Sequence, residues 1–260
     1  KRTLGVWSAA AVSIGAIIGA GIFVLVGVAS GLAGPSVILS FVIAGTVALF
    51  TALSAAELSS FITESGGSFI YTRKAFGSFW GFVVGWVQSA DYIIGASAVS
   101  IGFAGYLLYF LGIPPAQVAM IFTACILPLV LMLLNLKGIR EAAGANNLLV
   151  VLKIAALILF VGVGGSYLIA HGASGNYQPF FPNGISGTLH GAAVIFFAFV
   201  GFNTVTVIAE EIRDPERSVP RALLIAFVVS SAIYISVSVV AIGLTDWTVL
   251  ANSTAPLETA

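Results

Sequence analysis

Gly15, Gly19 and Gly21 fall within the charge-free stretch SIGAIIGAGIFV, Ser13–Val24, and a second apolar stretch, FFAFVGFNTVTV, carries Gly201 with Asn203 just beyond it. A helix interrupted in mid-membrane frees backbone groups: amides can grip a carboxylate and carbonyls a cation. The spacing Gly15-x-x-x-Gly19 equally suits close helix packing, and spacing by itself leaves both readings open. Two glycine-interrupted spans in corresponding positions are the mark of an inverted repeat with a site near the midplane, which favours the interruption. Two ionisable residues join this set. Lys153 begins about five residues into its apolar run, so its stem can snorkel to the interface or its ammonium can serve a function inside. Asp91 lies about 12 residues into its run, near 18 Å from the start, and is too short to snorkel. It needs a partner or a water-filled cavity, as a structural acid or a functional one.

These residues must be positioned by membrane-spanning helices. Of the 260 residues 59% are hydrophobic and 8% charged, against about 25% charged in a soluble domain. Seven apolar segments can be drawn, at 6–31, 36–58, 79–111, 116–135, 146–169, 188–211 and 219–244, in a single transmembrane domain covering 1–260. Each should be helical, because lipid offers backbone polar groups no partner. The third is long for one crossing. The basic residues fall in four groups: Lys1 and Arg2, Arg73 and Lys74, Lys137 and Arg140, and Arg213, Arg217 and Arg221. With seven spans all four lie on one side, which the positive-inside rule makes cytoplasmic, together with the N-terminus. The absence of a cleavage-site pattern reads as an internal start, not a signal peptide. Cys125 is the single cysteine, and His171 and His190 lack ligand spacing, so no disulfide, metal or cofactor is expected. Nothing in the charge pattern suggests nucleic acid. Asn252-Ser253-Thr254 forms an outward glycosylation sequon, relevant only in a eukaryote.

Several long motifs, in order along the whole chain, carry a resemblance. IGAIIGAGIFVLVG in the first span and FFAFVGFNTVTVIAEEIRDPERSVPRA across the sixth resemble the amino acid–polyamine–organocation superfamily. SGGSFIYTRKAFGSFWGFVVGW is similar to that family's loop after the second span. DYIIGASAVSIGFAGY and NLKGIREAAGANNLLVVLKI look closest to its cationic amino acid transporter branch. The resemblance implies an all-α LeuT-type fold of two inverted five-helix repeats with helices 1 and 6 unwound. This chain would supply the first repeat and two helices of the second, a piece of a longer transporter in the cell membrane that would not transport alone.

By resemblance, the amides of Gly19, Ala20 and Gly21 hold the carboxylate of an amino acid, cationic or broad-range. Carbonyls near Ile17, with those of Phe197 and Val200, accept its ammonium, and Gly201 and Asn203 complete the second interruption. Phe197 and Phe199 are gating candidates, although an aromatic packed on a neighbouring helix is at least as common. Ala20 stands where relatives often have Ser or Thr, and Asn203 where many have an acid. Lys153 aligns with a lysine that occupies the cation position of sodium-coupled relatives, which implies proton coupling. Asp91 matches a third-span acid, implying a role in cation preference or proton passage. Glu210, Glu211, Arg213, Asp214, Glu216 and Arg217 form a charge run that reads as a wet face, with an inner-gate latch as the second reading.

Secondary active amino acid transport, proton-coupled and by alternating access, is therefore the expected function. An exchanger, or a non-transporting sensor or partner subunit on the same scaffold, is the alternative. A membrane enzyme is disfavoured, since no Walker lysine, zinc-type His-Glu pair or Ser-His-Asp set is apparent.

Overall fold

The computed structural model describes residues 4–137, 139–172 and 175–260. Lys1 and Arg2 lie outside the described residues, as do the side chains of Ala20, Lys137 and Arg140. Among the described residues the chain is helical, with one isolated bridge between Leu4 and Ile212. Among the described residues six helical runs are long and apolar enough to cross a membrane, and Val6–Ile17 is a shorter apolar helix.

The expected first span is two helices, α1 (Val6–Ile17) and α2 (Ala20–Ala33). The continuous helical run Gly21–Phe61 holds 41 residues, roughly twice what a bilayer core requires. A 3-10 turn at Gly34–Ser36 divides it, with Gly34 at φ 64° and Pro35 supplying a preset φ, before α3 (Val37–Phe61). Next come α4 (Ser68–Phe76), α5 (Ser78–Phe110), α6 (Gln117–Lys137) and α7 (Ile139–His171). The 33 residues of α5 would extend about 50 Å, so this helix must tilt or project beyond the bilayer. The expected sixth span is also split, into α8 (Gly184–Ile195), a 3-10 turn Phe196–Phe199 and α9 (Thr204–Val207). After α10 (Pro215–Leu244) come two short helices, α11 (Trp247–Asn252) and α12 (Pro256–Thr259).

The residues cluster into two compact units, and the division passes through both interruptions. One unit takes in the chain up to Ile17, Gly45–Gly95 and Phe199–Ser231. In it α1 packs against α9, and the core is built from small residues of α1 and α3 with Phe199, Phe202, Leu223 and Phe227. Lipid tails are as apolar as leucine, so burial alone cannot drive this packing; close approach of small side chains can.

The other unit comprises Ile18–Ala44, Ala96–Ala198 and Ala232–Ala260. There α2 packs against α8 and α11, and glycines set the spacing. A methyl group on Gly27 would lie 2.7 Å from the Leu250 carbonyl oxygen, and one on Gly31 would lie 3.1 Å from the Ala251 side chain. Hydroxyls fix how the 3-10 turn and the start of α3 lie on α8: Ser36 and Thr188 share a 2.6 Å hydrogen bond, and Ser40 donates to the Thr188 carbonyl at 2.7 Å. The Asn183 amide donates to the carbonyls of Gly31 and Leu32, satisfying the end of α2. By contrast α6 is almost wholly exposed, with apolar side chains such as Val118 and Phe122 suited to lipid.

Candidate functional site

The first interruption is short. Helix α1 ends at Ile17, Ile18 and Gly19 bend out of helical geometry, and Gly19 (φ −97°, ψ −151°) is the extended cap of α2. Gly19 has no side chain to cap that helix, and the first-turn amides of an α-helix lack an acceptor within the helix itself. The second interruption runs longer, from the 3-10 turn through 200–203, with Gly201 at φ 116°. That backbone region is open to glycine and strained for other residues. Among the carbonyls here, Ala198 accepts from the Tyr234 hydroxyl at 3.0 Å, Gly201 from the Thr204 amide, and Asn203 from Thr206.

Each unit brings its part of one interruption onto its part of the other. In the unit containing α2, a methyl group on Gly21 would sit 2.6 Å from Ala198 Cα. In the unit containing α1, one on Gly201 would sit 2.6 Å from the Ala16 carbonyl oxygen and 3.2 Å from the Ile17 amide nitrogen. Only bare backbone fits at either place. The glycines therefore serve backbone-to-backbone approach as well as the breaks, and the interrupted reading of Gly19, Gly21 and Gly201 matches the observed elements.

The other expected site residues are more scattered. Phe197 is half-buried, whereas Phe199 is fully buried, its ring stacked on Phe227 at 5.5 Å between centroids and lying over Gly45. Val200 is 37% exposed, and Asn203 is half-buried at the N-terminal end of α9. Lys153 is half-buried on α7. It lies one turn before Ala156 and Leu157 and two before Phe160, on the helix face that meets Phe23 and Tyr106 around a cavity of about 220 Å³. Asp91 is exposed on α5.

Tyr106 and Tyr234 were not singled out by the sequence reading. The Tyr106 hydroxyl donates to the Phe23 carbonyl at 2.6 Å and accepts from the Leu257 amide at 3.2 Å. Tyr234 is fully buried and holds the Ala198 carbonyl. The available signal was a tyrosine inside an apolar span, since its hydroxyl has to find a partner there.

A family described as "Amino acid permease" matches residues 4–258. The branched-chain amino acid permease BcaP of Bacillus subtilis (strain 168) is 36% identical over 274 residues, covering 99% of this chain and 58% of its own length. The methylthioribose transporter of the same organism is 34% identical, over 94% of this chain and 55% of its own. The vacuolar cationic amino acid transporter 2 of Arabidopsis thaliana is 37% identical, over 94% of this chain and 41% of its own. The chain thus spans about half the length of these relatives, all of them named as permeases or transporters rather than enzymes. Its split helices, apolar spans and near-complete family match have one reading: this integral, multi-pass membrane chain belongs to the amino acid permease family, within the amino acid–polyamine–organocation superfamily.

Proposed function

We propose that the chain is the substrate-binding half of a secondary active amino acid transporter working by alternating access and driven by protons. The observation that carries this reading is the pairing of half-helices, α1 with α9 in one unit and α2 with α8 in the other. Amides at Gly19, Ala20 and Gly21 would take the substrate carboxylate at the positive end of α2. Carbonyls near Ile17 and at Phe197 and Val200 would take the ammonium, beside Gly201 and Asn203. Of the two gating aromatics, half-buried Phe197 is the better candidate, since Phe199 is fully buried and packs on Phe227 and Gly45.

Substrate class follows from chemistry near the second interruption. Asn203 brings no charge there, and Phe197 and Val200 are apolar, which favours a neutral aliphatic side chain over a cationic one. The name of the branched-chain permease agrees with that preference, while those of the plant transporters point to cationic substrates. Proton coupling is assigned to Lys153, on the α7 face that lines the cavity with Phe23, with Asp91 as a second candidate. The positive-inside rule supports a cytoplasmic side for the loops that carry Arg73, Lys74, Arg213 and Arg217, and the cell membrane is the location we propose.

Uptake of labelled leucine and arginine by the full-length parent in proteoliposomes tests this reading, measured with an inward proton gradient in sodium-free buffer and, separately, with an inward sodium gradient and no proton gradient. An inward proton gradient should drive accumulation, with leucine preferred. Accumulation driven only by sodium would remove the role of Lys153, and uptake of neither amino acid would remove the transport reading.

A further inference from the structure

A tie of unexpected construction lies in the unit that carries Arg73, Lys74, Arg213 and Arg217. The lead-in to α1 and the segment after α9 pair through one isolated parallel bridge: the Leu4 amide donates to the Glu211 carbonyl at 3.1 Å, and the Arg213 amide to the Leu4 carbonyl at 2.9 Å. Ile212, between those two bonds, is fully buried. The loop joining α3 to α4 is fastened to the same segment. The Ser65 amide donates to Glu210 Oε1 at 3.0 Å, and the Glu210 amide donates back to Ser65 Oγ at 3.4 Å. Gly67 lies against the Thr206 hydroxyl, where an added methyl would stand at 3.1 Å.

Hence three segments distant in sequence are stitched together at the far ends of α1 and α9. An exposed carboxylate is an unusual component of such a stitch, because elsewhere in the charge run the side chains face water. Here Glu210 spends one oxygen on an amide belonging to another segment. Any movement of α1 away from α9 must break the Leu4 pairing, and any movement of α9 away from the 62–67 loop must break the Ser65–Glu210 exchange.

We propose that this tie is the latch of the inner gate, and that Glu210 is its positioning residue, holding α9 closed against the α3–α4 loop without touching substrate. The consequence for transport rests on the function proposed above; the latch itself does not. Its inside reporter is Ser13, a fully buried serine of α1 whose hydroxyl has no hydrogen-bond partner among the described residues, and which cysteine can replace with little change in volume.

The test uses the full-length parent with its native cysteines replaced and Ser13→Cys introduced, reconstituted in proteoliposomes and treated with N-ethylmaleimide. Loss of a charge-assisted hydrogen bond in Glu210→Ala should speed alkylation by roughly threefold to tenfold. Glu210→Gln keeps an acceptor oxygen and should stay within about twofold of the unsubstituted protein. An alkylation rate in Glu210→Ala equal to that of the parent would overturn the proposal. In a separate variant, Ser65→Cys with Glu210→Cys should form a disulfide that stops net uptake until reductant is added. Failure to cross-link, or undiminished uptake when cross-linked, would equally overturn it. A parent that transports no amino acid but shows the alkylation change would leave the latch standing and remove the transport reading.

Discussion

At the scale of single residues, the two glycines that lie against foreign backbone make the sharpest demands. Gly21→Val would drive a branched side chain into Ala198, whose Cα already lies 2.6 Å from a single added carbon. Leucine uptake by the full-length parent should fall at least tenfold, with surface expression measured in parallel to separate binding from folding. Gly162 offers the control, since a methyl there meets nothing within 4 Å, and Gly162→Ala should transport normally. Asp246 makes a milder prediction. Its carboxylate caps α11 by accepting from the Thr248 hydroxyl at 2.6 Å and the Thr248 amide at 2.7 Å. Those bonds to the charged form hold its carboxyl below the ordinary value of 3.8. The stabilisation is therefore present above about pH 4 and is lost as the pH falls through the lowered value. Asp246→Ala should lower stability in detergent by about 1 kcal/mol or less at pH 7, read as a thermal midpoint, and by progressively less under acid conditions.

At the scale of elements, α2 is the helix most tightly fitted to its neighbours, and glycine does the fitting. Gly27→Leu would collide with Pro256 and the Leu250 carbonyl, so α11 and α12 would have to leave α2. Increased protease sensitivity of 247–260 in the folded parent is the expected outcome, and an unchanged digestion pattern would count against this packing. These contacts also show what was legible in the chain. The interruptions could be read locally, because glycine and its apolar flanks sit together within a dozen residues. The partners of those glycines could not, since Gly21 meets Ala198 and Gly27 meets Pro256 across several intervening helices. Phe199 was read as a gating residue beside Phe197, and nothing local distinguishes two aromatics two positions apart. Only the placement of Gly45 and Phe227 commits one of them to packing. Tyr106 and Tyr234 escaped notice for the same reason: a hydroxyl in an apolar run announces that it needs a partner, not which carbonyl supplies it.

For the whole molecule, the charges and spans fix the class of protein more firmly than its driving ion. Lys153 bears on that question. If its ammonium carries the coupling proton, Lys153→Ala in the full-length parent should abolish accumulation driven by a proton gradient while leaving leucine-for-leucine counterflow largely intact. Unchanged accumulation would return the residue to a snorkelling role at the interface. Asp91 belongs to the same experiment, because Asp91→Asn separates a proton-passage role from a structural one by the same two assays. The hydroxyls of Ser36, Ser40 and Thr188 limit how any such cycle can be executed. Sliding α8 along α3 by one turn would strand these groups in a dry setting, at about 1–3 kcal/mol each. Rotation about that seam leaves them matched. If the proposed transport cycle moves α8, this polar seam favours rocking about it over sliding along it.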